Sequence, residues 1–190
     1  MFTMLTDGSK VEIRAIAAQD ASMLQAFVRR LSARSRHFRF FSAVVELPMA
    51  LLERMVNQDH RRGLALVALG EQQGNAVIIA EARCVLDETE RTAEFAVAVA
   101  DEFQRRGLGI KLLKTLVTYA SRKGVRRLFG EILADNQPMV ALARVARNSA
   151  QRPGPLDRDR QHCPAGFRCV RIGQRDEALR FKRWRARCSD

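Results

Sequence analysis

Two linked segments decide how the rest of the chain is read: Ala93-Glu94-Phe95-Ala96-Val97-Ala98-Val99 and, after a short polar link, Gln104-Arg105-Arg106-Gly107-Leu108-Gly109-Ile110. The first alternates as a strand does, so Phe95, Val97 and Val99 share one face, large enough for a core. Glu94, Ala96 and Ala98 share the other, where one carboxylate stands beside two small side chains; that face reads as the floor of a narrow groove. The second segment places two glycines, one residue apart, at the start of an amphipathic helix predicted over residues 105–122. Glycine permits positive φ and close approach of a ligand to the backbone. The first amides of a helix have no intrahelical partner and carry partial positive charge. The amides of Gly107, Leu108, Gly109 and Ile110, with Arg105 and Arg106 at the rim, therefore read as a cradle for an anion such as a pyrophosphate.

Other readings of the glycines fail on spacing. A Walker loop needs Gly-x4-Gly-Lys-Ser/Thr, which is absent, and a dinucleotide fingerprint needs a third glycine where Leu112 stands. Glu131 sits at a plausible distance for a ribose-binding acid, but Val99 is too far from Gly107 for the tight strand-to-glycine turn.

Gln104-Arg105-Arg106-Gly107-Leu108-Gly109 resembles the Q/R-x-x-G-x-G/A signature of the GNAT N-acetyltransferases, and Asp135-Asn136-Gln137-Pro138-Met139 resembles that family's next landmark. Arg39-Phe40-Phe41 and the strand at residues 93–97 are similar to segments of the bacterial Pat-like protein lysine acetyltransferases. The resemblance covers about residues 10–143. It implies an α+β (α/β/α) fold with a mixed, mostly antiparallel central sheet flanked by helices, and acetyl-CoA as co-substrate. It implies that Gln104, Arg105, Arg106, Gly107, Leu108, Gly109 and Ile110 hold the pyrophosphate. The backbone of Val97, Ala98 and Val99, together with Asn136, would hold the pantetheine arm. Glu94 would be the general base, and the acceptor a protein lysine or a small amine. Family members often carry a tyrosine general acid after the Asn landmark; Tyr119, the one tyrosine here, lies in the earlier helix.

The remaining chain is consistent with this frame. At 190 residues with 47% hydrophobic content, it is most simply one core-forming domain. No apolar run reaches membrane-span length, and the N-terminus lacks the pattern of a signal peptide, so a cytoplasmic protein with no membrane partner is expected. The net charge is +12, but residues 144–190 hold 13 Lys+Arg against 5 Asp+Glu. The basic excess thus belongs mainly to the tail and argues against nucleic acid as the partner of the domain. Oligomeric state stays open, a dimer included.

Residues 10–16 read as the first strand. Asp20 reads as a helix cap, and Met23, Leu24, Phe27, Val28 and Leu31 as a helical stripe. Residues 29–41 interleave arginines with His37, Phe38, Phe40 and Phe41. Such a mixture binds single-stranded nucleic acid in some proteins; the favoured reading is a helix end and loop whose aromatics pack on the core. Pro48 opens another helix. Residues 63–69, 76–86 and 93–99 form an antiparallel meander, with a hairpin at residues 71–75. Residues 127–133 read as a fifth strand, and residues 138–147 as a helix for which Asp135 or Asn136 is a cap. Lys111, Lys114, Arg122 and Lys123 read as a solvated face, Lys111 and its neighbours having a cofactor 3′-phosphate as the sharper alternative.

Family members continue the last helix into a Leu-Gly-Phe turn and two strands; this chain continues instead with an Arg-, Pro- and Asp-rich run. The expected division is a domain over 1–147 and an atypical, poorly packed tail over 148–190. His162, Cys163, Cys169 and Cys188 lack zinc spacing, so no metal site is expected and the thiols read as free.

Overall fold

The computed structural model describes residues 1–59, 61–87, 89, 91–151 and 168–169, with side chains as far as Ala146. A seven-stranded sheet follows chain order. Strands β1 (Phe2–Met4), β2 (Lys10–Ala15), β3 (Gly63–Gln72), β4 (Asn75–Asp87) and β5 (Thr92–Val99) pair antiparallel. β6 (Arg127–Phe129) and β7 (Arg168–Cys169) add in parallel. Helices α1 (Ala21–Arg30), α2 (Ala33–Phe40) and α3 (Met49–Val56) connect β2 to β3. α4 (Leu108–Arg122) makes the crossover that parallel β5–β6 pairing requires, and α5 (Gln137–Gln151) follows β6.

The period-two alternation of the strands builds two cores. Leu66 and Ala68 of β3, with Phe95 and Val97 of β5, face α4 and α5 in a core where Leu112, Leu113 and Leu116 of α4 and Leu128 of β6 are fully buried. Ala65 and Val67, with Ala98, face α1 and α3 and meet Leu24, Phe27, Leu51 and Met55. The β3–β4 hairpin closes through Gln73 (φ 52°) and Gly74 (φ 76°), both left-handed, as the favoured two-residue turns require.

Several sequence expectations shift. A strand precedes residue 10: β1 pairs with β2 from Phe2↔Glu12 to Met4↔Lys10, its exposed Phe2 and Met4 giving no burial pattern to read. Residues 33–40 are a helix rather than a loop. The Ser32 hydroxyl accepts from the Ser35 amide at 3.1 Å and starts α2, and Phe41 ends it with φ 54°. Its mixture of Arg and Phe hides the helical period. Asp20 does not cap α1 through its side chain. Its carboxylate instead accepts from Arg14 at 2.6 and 2.7 Å and from the Ala17 amide at 2.8 Å. α4 begins at Leu108, not residue 105, because Arg105 (φ 60°) and Gly107 (φ 83°) are left-handed.

The strand expected over residues 127–133 ends at Phe129. An ideal Cβ on Gly130 would stand 2.7 Å from the Phe95 ring. The ring occupies the space that a continuing strand's side chain would need. The tail is outside the described residues except for the end of α5, residues 148–151, and β7, which contains Cys169; α5 runs through the boundary expected at 148. The expectations for His162, Cys163 and Cys188 fall outside the described residues. Among the described residues, no helix is long and apolar enough to cross a membrane.

Candidate active site

The site begins with a gap in the sheet. β5 and β6 pair only over Thr92↔Arg127, Ala93↔Leu128 and Glu94↔Phe129. Beyond Glu94 the strands part, and among the described residues no strand pairs with the β6-facing edge of residues 95–99. Unpaired strand amides and carbonyls are strong hydrogen-bonding groups that accept an extended ligand as they would another strand. A cleft enclosing about 600 Å³, counted with its open mouth, passes through this gap. Phe38, Arg39 and Phe41 from the end of α2, with Glu94 and Ala96, line it on one side of the sheet. Glu131, Ile132, Asn136 and Met139 line it on the other strand's side.

Glu94 is half-buried on β5, on the lip of the cleft. The groove floor read from the sequence is shorter than expected: Ala96 lines the cleft, but Ala98 is buried in the α1–α3 core. The small side chains serve a second purpose. Across β4–β5, Ala96 pairs with Arg83 and Ala98 with Glu81. Glu81, Arg83 and Arg39 form a buried triad: the Arg39 Nη2 reaches Glu81 at 3.1 Å, the Arg83 Nε also donates to Glu81, and the Arg83 Nη2 donates to the Met55 carbonyl at 3.4 Å. Bulkier residues at 96 and 98 would compete with the two β4 side chains for that face. Burial alone would raise the Glu81 pKa, but the two guanidiniums outweigh it and hold the carboxyl below its ordinary range. The triad fixes Arg39, and with it the aromatic wall of α2, against the cleft. Sequence reading missed it; the signal was a Glu and an Arg at alternate positions inside an otherwise apolar strand.

The loop read from the sequence as an anion cradle has left-handed backbone at Arg105 and Gly107. Gly107 is the N-cap of α4 and offers no side-chain cap, leaving the first amides of the helix to an outside acceptor. The β1–β2 turn braces the loop: the Thr6 amide donates to the Arg106 carbonyl at 3.2 Å, and Thr6 Cγ2 lies 3.6 Å from where a Gly107 Cβ would be. Arg106 pairs with Asp7 and stacks on Phe103 at 5.0 Å, so its charge is shared with the turn. The Asp7 carboxyl is pulled down to about 2, first by the Ser9 hydroxyl and amide and in smaller part by Arg106. Arg105 is exposed at the rim. Gln104 is turned back, donating to the Val99 carbonyl at 3.0 Å and the Ser35 hydroxyl at 3.3 Å; it ties the loop to β5. A Cβ on Gly109 would sit 3.3 Å from Leu142 and 3.8 Å from Val99, so this glycine lets α4 approach α5 closely.

Asn136 is buried, lines the cleft, and accepts from the Met139 amide at 3.3 Å, which makes it the cap of α5. Lys111 belongs neither to a solvated face nor to an open phosphate site: its ammonium donates to the Thr3 hydroxyl and the Met4 carbonyl. Tyr119 donates to the Gly63 carbonyl at 2.9 Å, on the α4 side of β3. Arginines of the basic and aromatic segment are engaged within the chain, while Phe38 and Phe41 line the cleft. Arg36 donates to the Leu31 carbonyl, Arg39 to Glu81, and Arg34 lies over the Phe38 ring at 5.1 Å.

The family model described as the acetyltransferase (GNAT) family matches residues 29–146. The chain is 33% identical to "Acetyltransferase PA5475" of Pseudomonas aeruginosa over 135 residues, which is 71% of this chain and 73% of that protein. It is 34% identical to "Acetyltransferase Pat" of Mycolicibacterium smegmatis over 103 residues, 54% of this chain but only 30% of that longer protein. The fold is similar to the GNAT domain of S. lividans PAT, with a TM-score of 0.69 and 27% identity, covering 77% of this chain and 85% of that one.

Proposed function

The chain belongs to the acetyltransferase (GNAT) family, an acetyl-CoA-dependent class acting on amines, and on that premise we propose that it acetylates lysine side chains of proteins with Glu94 as general base. The observation that carries this reading is the cleft through the β5–β6 gap, with Glu94 on its lip and Phe38, Phe40 and Phe41 beside it. Similarity to the Pat proteins supports the protein-lysine acceptor.

The residues present suit the co-substrate. The left-handed pair Arg105 and Gly107, and the α4 amides without a side-chain cap, suit its diphosphate. The open backbone edge of Val97, Ala98 and Val99, with Asn136 opposite, suits its amide-bearing arm. Acetyl-CoA supplies an activated acyl thioester. The protein must then deliver a neutral amine: deprotonating a lysine at pH 7 costs about 4.6 kcal/mol, taking its pKa near ~10.4. A half-buried carboxylate within reach of the acceptor takes that proton, directly or through water. An amide of the open β5 edge would stabilise the negative charge developing on the carbonyl oxygen.

The test is acetylation by purified protein of a panel of lysine peptides and small amines, read by mass spectrometry. Acetyl-lysine formation supports the reading. Transfer confined to small amines replaces it with a small-molecule acetyltransferase, and coenzyme binding without transfer to any amine replaces it with a non-catalytic module.

A further inference from the structure

We infer that Glu131 is a specificity residue that selects a positively charged acceptor, holding its ammonium across the cleft from Glu94; the inference rests on the acetyl-transfer reading and deepens it. Glu94 and Phe129 are register partners on parallel strands, so they point to one face of the sheet. Glu131, two residues beyond Phe129, lines the same cleft as Glu94. Gly130 is what lets it do so. With the Phe95 ring occupying the position of a Cβ at 130, the chain leaves β6 at that point while keeping Glu131 beside the opening. The opening therefore carries a carboxylate on each of its two walls, Glu94 on β5 and Glu131 just past the end of β6.

The rest of the lining fits the same ligand. Arg39, the guanidinium of the wall, is already engaged by Glu81 and so does not set the cleft's charge alone. Phe38, Phe41 and Met139 offer apolar surface for a methylene chain, and aromatic faces also attract cations. A primary ammonium on a flexible aliphatic stem, whether a lysine side chain or an aliphatic diamine, satisfies both parts. A neutral or anionic amine satisfies only the apolar one. Glu131 binds the acceptor as a cation; Glu94 then removes the proton, and the two carboxylates divide recognition from catalysis.

The experiment compares wild type with Glu131→Gln and Glu131→Asp on three acceptors: a lysine peptide, 1,5-diaminopentane and a weakly basic aromatic amine that is uncharged at the assay pH. We expect Glu131→Gln to raise KM for the two charged acceptors about tenfold, the order of one charge-assisted hydrogen bond. The kcat should stay within about twofold, KM for the uncharged amine should not move, and Glu131→Asp should recover part of the loss. Acetyl-CoA affinity by calorimetry should match wild type. An unchanged KM for charged acceptors, an equal rise for the uncharged one, or a loss confined to coenzyme binding overturns the inference. If wild type acetylates the diamine but no lysine peptide, the protein-lysine reading falls while Glu131 is still judged on the diamine.

Discussion

In the proposed reaction Glu94 and Gly107 are the decisive single residues, for opposite reasons. Glu94 matters for what its side chain does. Glu94→Gln keeps the shape and removes the base, so turnover should fall by about 10²- to 10⁴-fold, while acetyl-CoA affinity measured by calorimetry stays within about twofold of wild type. Unchanged turnover would remove Glu94 from the mechanism. Gly107 matters for having no side chain at φ 83°. A left-handed L residue there costs about 1–2 kcal/mol. Gly107→Ala should therefore lower the melting temperature modestly and weaken coenzyme binding; Gly107→Asp should add a negative charge at an anion site and abolish it. Equal coenzyme affinity in the two variants would show that charge at this position is irrelevant.

At the scale of elements, the decisive feature is where β6 stops. Phe95 and Gly130 would be the next pair of the parallel ladder, and the ring leaves no room for a side chain at 130. Gly130→Ala forces that buried ring to move, at about 1–3 kcal/mol for an overpacked site. The expected outcome is a lower melting temperature together with a raised KM for acetyl-CoA, since the displaced ring lines the gap. Phe95→Leu in the same background should recover part of both. A Gly130→Ala protein with wild-type stability and KM would remove the ring from the control of the opening. The 127–133 segment looked like a full strand in sequence because Leu128, Ile132 and their neighbours are strand-like residues. What shortens it is contact with a residue more than thirty positions earlier, which no local pattern contains.

The whole molecule adds an electrostatic frame of buried and half-buried carboxylates. The Asp20 carboxyl is held below its ordinary value by hydrogen bonds from Arg14, against the effect of burial and with the help of the Ala17 amide. Glu81 is held low by Arg83 and Arg39 against its own burial. A depressed folded pKa means that the unfolded chain binds more protons below its own pKa, near ~3.9 for Asp and ~4.3 for Glu. The stabilisation is therefore complete above those values and is lost as the pH falls through the folded ones. Melting temperature should be flat from neutral pH to about 5 and should drop progressively below about 4. Arg14→Met should lower the neutral melting temperature and shrink the acid-induced drop, because the folded and unfolded pKa of Asp20 then converge. An unaltered slope in the variant would show that the pair does not contribute.

How much could be read in advance divides along the same lines. The meander, the left-handed glycine loop, the α4 stripe and the place of Glu94 on β5 were legible because each depends on neighbours within a few residues: alternation, helical period, and the conformational freedom of glycine. α2 was not, because one Ser32 hydroxyl and contacts to the core make a helix of a segment with no clean apolar face. Nor was the Arg39–Glu81–Arg83 triad, whose members are brought together from α2 and β4. The sequence by itself determined the antiparallel meander, the apolar stripe of α4 and the left-handed loop ahead of it, since local geometry and the period of the side chains suffice for those. Only the tertiary structure decided that β5 and β6 part after Glu94, that a cleft passes between them, and that Glu131 joins Glu94 on its wall. Those outcomes depend on where a distant ring and a distant glycine compete for the same volume, and sequence spacing carries no record of that competition.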